Sequence, residues 1–69
     1  MHKYLVVFER VGDNYSAYFP DIPGCIATGG TRDEVEKNIR EAISFHIEGL
    51  TQDGLPLPEQ VSFTEYVEV

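Results

Sequence analysis

This sequence predicts an α+β domain of order β-β-β-α-β, an antiparallel sheet with a single helix on one face. Three observations carry that expectation. Two runs rich in β-branched and aromatic residues flank Gly12-Asp13-Asn14, residue types that tolerate the positive φ of a hairpin loop. Thr31-Arg32-Asp33-Glu34 has the spacing of a capping box and opens a stretch of apolar residues at helical intervals. Period-two alternation then returns from Val61 to Val69.

The first strand is expected over Tyr4–Val11, with Tyr4, Val6 and Phe8 on one face and Leu5, Val7 and Val11 on the other. Tyr15–Phe19 forms the second, ended by Pro20, which has no N–H for a ladder. Asp21-Ile22-Pro23-Gly24 carries turn chemistry, Cys25–Thr28 is a short third strand, and Gly29-Gly30 closes it. The helix starts just after Thr31, where the threonine hydroxyl accepts from the Glu34 N–H and the glutamate reaches back to the Thr31 N–H. Val35, Ile39, Ala42, Ile43, His46 and Leu50 share one arc of it. Phe45 and Ile47 sit at opposite margins of that arc, as half-buried edges or as contacts to a second subunit. Asp53-Gly54 ends the helix, Leu55-Pro56-Leu57-Pro58 makes an extended return, and Val61–Val69 is the last strand.

Sixty-nine residues make one small domain, residues 1–69, with marginal stability of its own. Cys25 is the only cysteine, so no internal disulfide helps, and a homo-oligomer, dimer or tetramer, is the expected remedy. Hydrophobic residues at 42% and charged residues at 25% are globular proportions. A net charge of −7 repels a phosphate backbone, which argues against unaided nucleic-acid binding and suits a basic protein partner. The same acidity also serves plain solubility. Nothing resembles a signal peptide or membrane span, so a cytoplasmic location is expected.

The middle of the chain is similar to a known family. Tyr-Ser-Ala-Tyr-Phe-Pro-Asp-Ile-Pro-Gly-Cys from Tyr15, Ala27-Thr28-Gly29, Thr31, Asn38–Ile43, His46–Leu50, and Asp53-Gly54 with Pro56 and Pro58 closely resemble the HicB antitoxins in order and spacing. The resemblance covers about two thirds of the chain. It implies a partial ribonuclease-H-like fold and a binding protein that neutralises HicA, a small basic toxin that cleaves messenger RNA. Inhibition would be occlusion of the toxin's catalytic histidine and RNA-binding surface. Many members continue into a DNA-binding segment, whereas this sequence stops at Val69, so no direct DNA binding is expected. The alternatives are a stand-alone oligomeric domain with a structural or small-ligand role, and a residual nuclease.

Residues with chemical capacity read mostly as structural. A ribonuclease-H site needs several carboxylates converging on two magnesium ions about 4 Å apart; Glu9, Glu65 and Glu68 are the candidates, and strand glutamates in an acidic chain are usually solvated. His46 reads as a packing residue on the helix arc. His2 lies in a mobile terminus, and no ligand set has zinc spacing. Cys25 lacks an identifiable base and reads as a small buried residue. The expectation is therefore no catalytic, metal or cofactor site. The aromatic set Tyr4, Phe8, Tyr15, Tyr18, Phe19, Phe63 and Tyr66 lacks the positive charge of an RNA platform and suits core and interface roles. Asp21 caps neighbouring N–H groups or meets a partner. Tyr18, Asp21 and Ile22 are the candidate partner contacts, with the hinge leaving Asp21 and Ile22 exposed, and Phe45 and Ile47 are the candidate oligomer contacts.

Overall fold

A computed structural model describes residues 3–69; Met1 and His2, and with them the expectation placed on His2, lie outside the described residues. The elements run β1 (Val7–Val11), β2 (Asn14–Tyr18), β3 (Ile26–Gly29) and α1 (Arg32–Gln52). The three strands form one antiparallel sheet in the order β1-β2-β3. The predicted α+β class and the sequence of three strands and a helix are observed.

Register follows the alternation. Phe8, Ala17 and Ala27 make one cross-strand row, and Arg10, Tyr15 and Gly29 the next, both on the helix side of the sheet. Helix α1 lies over β2 and β3, and Ala17, Phe19, Ile22, Cys25, Val35 and Ile39 form the buried core between them. Burying Phe19, Ile39 and Val35 stabilises the fold by roughly 1.5–3 kcal/mol each. Tyr4 packs on Phe19 with ring centroids 4.9 Å apart at an interplanar angle of 48°. The helix can approach β3 closely because residue 29 is glycine: a Cβ there would stand 2.6 Å from the Val35 backbone nitrogen.

Both helix ends are capped as the sequence suggests, with one change. Thr31 Oγ1 accepts from the Glu34 N–H at 3.1 Å, but Glu34 Oε1 reaches past Thr31 to the Gly30 N–H at 3.0 Å. At the far end the Leu55 N–H bonds to the Leu50 carbonyl at 2.9 Å, a wrap that Gly54 permits at φ 68°.

Two expectations are corrected. Val61–Val69 is in no ladder: Phe63 is 84% exposed, and Val61, Tyr66, Val67 and Val69 are also exposed. Alternation equips a segment to be a strand, but pairing needs a free edge within reach, and this segment lies on none in its own chain. His46 is exposed rather than packed. The 21-residue helix is about 31 Å long, while strands of four or five residues span about 15 Å. Val35 and Ile39 in the first half of the helix are buried, whereas the half carrying His46 overhangs the sheet.

Candidate functional site

The face of the sheet away from the helix is open. Val7, Tyr18 and Ile26 are cross-strand partners and make one apolar row across all three strands. Glu9, Ser16 and Thr28 make the adjoining row, and Val11 and Asn14 the one beyond. Tyr18 and Ile26 are exposed and Val7 half-buried. Beside this row a shallow depression of about 300 Å³ is lined by Tyr18, Pro20, Pro23 and Ile26, among others. The arrangement offers a flat aromatic and aliphatic strip flanked by a carboxylate, which is the chemistry of a protein contact.

The hinge from Phe19 to Cys25 places the other two candidate contacts elsewhere. Its ends are tied by the Phe19 N–H on the Cys25 carbonyl at 3.0 Å, and the Ile22 N–H turns back onto the Phe19 carbonyl at 3.1 Å. That closed loop, with Gly24 at φ 82°, folds Ile22 inward until it is only 7% exposed. Ile22 is thus a core residue, which corrects its expected exposure. Asp21 is half-buried, and its Oδ1 accepts from the Ser62 N–H at 3.1 Å and the Ser62 hydroxyl at 2.7 Å. The carboxylate caps N–H and O–H groups as one reading of it expected, but on a residue 41 positions away rather than within its own turn. Of the three candidate partner contacts, Tyr18 alone is displayed on the open face.

The two candidate oligomer contacts part in the same way. Phe45 projects from the overhanging helix, 80% exposed, whereas Ile47 lines a groove of about 1390 Å³ between α1 and β1. Tyr4, Val6 and Phe8 form the sheet wall of this groove and Ile39, Ile43 and Ile47 its helix wall. Phe8 is 47% exposed although it faces the helix side, because α1 covers β2 and β3 and stops short of β1.

Among the described residues the candidate carboxylates do not gather into a metal-holding group. Among the described residues no group of three or more His, Cys, Asp or Glu side chains is placed to hold a metal ion; Glu9 is on β1, and Glu65 and Glu68 are exposed beyond Ser62. Cys25 is buried, and desolvation pushes its thiol above the ordinary range, away from nucleophilic use. No helix among the described residues is long and apolar enough to cross a membrane.

Sequence reasoning missed two contacts, Asp21 with Ser62 and Asn38 Nδ2 with the Thr28 carbonyl at 2.8 Å. Neither has a local signal, since each joins elements whose proximity is a product of the fold.

Comparison with known proteins agrees with this architecture. A chain of the solved HicA3 and HicB3 toxin-antitoxin complex superposes with a TM-score of 0.64 at 40% identity, over 80% of this chain and 64% of that one. An uncharacterized 14.9 kDa protein from the rep-hol intergenic region of Haemophilus phage HP1 is 42% identical over 64 residues, 93% of this chain and 48% of that protein. A UPF0150 protein of Thermoplasma acidophilum is 37% identical over 57 residues, covering 81% of this chain and 83% of its own length. The chain therefore spans about half of the phage relative and most of the archaeal one. The family model described as HicB_like antitoxin of bacterial toxin-antitoxin system matches residues 4–69, nearly the whole sequence, and the chain belongs to that family.

Proposed function

We propose that this chain is an antitoxin that binds a small basic HicA-type toxin and neutralises its cleavage of messenger RNA by covering the toxin's active surface. The family match over residues 4–69 carries the reading, and likeness to a chain of a HicA3 and HicB3 complex supports it. The net charge of −7 fits a basic partner, and such complementarity raises the encounter rate and selects the partner more than it adds affinity.

The contact surface we assign is the open sheet face, centred on the Val7, Tyr18 and Ile26 row with Glu9 beside it. Tyrosine in the middle of such a patch is a favoured anchor. The test is calorimetric titration of a cognate toxin with the wild type and with the Tyr18→Ala/Ile26→Ala double variant. Both side chains are exposed, so the variant should keep its melting temperature while binding at least about 30-fold more weakly. Equal affinities would remove the open face from the interface.

A further inference from the structure

Charge is unevenly placed along this chain. Its five Lys and Arg residues and six of its twelve Asp and Glu residues lie within residues 1–40, whereas residues 41–69 hold the other six carboxylates and no Lys or Arg. The sheet and the first half of α1 are therefore close to neutral. Nearly all of the net charge of −7 belongs to the overhanging half of the helix and the segment after it. The last turn of α1 contains no basic residue, so nothing on the helix offsets the negative end of its dipole.

One large apolar side chain stands in that field. Glu41, Phe45, Glu48 and Gln52 recur at helical intervals, share an arc of about 60°, and are all exposed. Phe45, 80% exposed, sits between the two carboxylates. The stripe lies at a particular end of the molecule. Helix α1 runs antiparallel to β3, with Val35 against Gly29 and Asn38 Nδ2 on the Thr28 carbonyl. The overhang therefore leaves the sheet past Ile26, at the end where Val7, Tyr18 and Ile26 make the last row of the ladder.

We propose, resting on the antitoxin reading above, that the basic partner seated on the Val7, Tyr18 and Ile26 row also grips the α1 overhang. Phe45 enters an apolar recess of that partner, and Glu41 and Glu48 pair with its Lys or Arg side chains. The open sheet face supplies the apolar centre of the contact and the overhang its charged rim with a second aromatic anchor. The occupant is a basic protein because charge complementarity selects it. A nucleic acid or an anionic membrane is repelled by this end of the chain, and two copies meeting stripe to stripe would oppose like charges.

The test measures association and dissociation rates of the full chain with a cognate HicA-type toxin at about 50 and 500 mM salt. Glu41→Lys/Glu48→Lys should slow association about tenfold at low salt and much less at high salt. Phe45→Ala should speed dissociation about tenfold at both. These side chains are exposed, so circular dichroism should match wild type. Asp13→Lys/Asp33→Lys makes the same change in net charge at the opposite end, where the β1-β2 turn and the start of α1 lie, and should slow association far less. Overhang variants that bind as wild type does, or a control pair that slows association equally, would overturn the second anchor and leave the antitoxin reading standing. Wild type that does not bind the toxin would remove both. Free Phe45→Ala that sediments as a smaller species than free wild type would overturn the partner contact in favour of a self-contact.

Discussion

The hinge from Phe19 to Cys25 and the arm of residues 61–69 are both apolar segments outside the regular elements, yet one is buried and the other exposed. Between Phe19 and Cys25 three backbone hydrogen bonds close the loop on itself and turn Phe19, Ile22 and Cys25 into the core under Val35 and Ile39. Beyond Ser62 a comparable density of apolar residues stays exposed: Phe63, Tyr66, Val67 and Val69. Composition was therefore a poor guide to burial in this chain, and access to an unfilled face decided it. The buried segment holds the fold, and the exposed one is available to another molecule.

Substituting equivalent residues should widen that contrast most. Phe19→Ala should cost about 3–5 kcal/mol, as expected for deleting a buried aromatic side chain. Phe63→Ala, measured at concentrations where the chain is monomeric, should leave the denaturation midpoint within about 0.5 kcal/mol of wild type. Similar losses in the two variants would erase the distinction. Gly29→Ala should cost about 1–3 kcal/mol, because its Cβ meets the Val35 backbone, which cannot yield as a flexible side chain would; an unchanged urea midpoint would mean the helix does not press on β3.

The latch between the two regions should be worth less. Asp21→Ala removes both bonds to Ser62 and should cost about 1–2 kcal/mol, with faster hydrogen exchange at the Ser62 amide and little change at Phe19. Unaltered exchange at Ser62 would release the arm from the hinge. Thr31→Ala should cost about 1 kcal/mol by removing the cap on the Glu34 N–H, seen as an earlier thermal midpoint.

The smallest effect concerns Cys25. Burial raises its pKa, so the fold favours the protonated thiol: its contribution is fully present below the unfolded-state pKa, roughly 8.5, and is lost as pH rises through the higher folded value. Stability should fall slightly more between pH 8 and 10 in wild type than in Cys25→Ala, and iodoacetamide should alkylate the native thiol more slowly than the denatured one.

Local chemistry was legible in the sequence where it is self-contained. The Gly12-Asp13-Asn14 turn, the Thr31 cap, the Gly54 wrap and the succession of three strands and a helix each depend on residues within a few positions of one another. Burial was legible only where an element is fully covered. The helical arc of Val35 and Ile39 was right, whereas His46 lies on the same arc but past the end of the sheet. Ile22 looked like a turn residue on display because the hydrogen bonds that fold it inward come from the ends of the loop. The Val61–Val69 pattern spoke for a strand without saying whether a sheet edge lay within its reach. Of the candidate contacts, Tyr18 sits on the open face, Ile47 in the groove and Phe45 on the overhang, a division that a helical wheel and a strand alternation do not contain.

Cleavage of messenger RNA by a cognate HicA-type toxin, titrated with this chain, bears most directly on the antitoxin role. Activity should fall linearly and vanish near stoichiometric addition, with a toxin complex recovered from the same mixture by size-exclusion chromatography. Cleavage that persists in the presence of excess folded chain, with no complex formed, would contradict it.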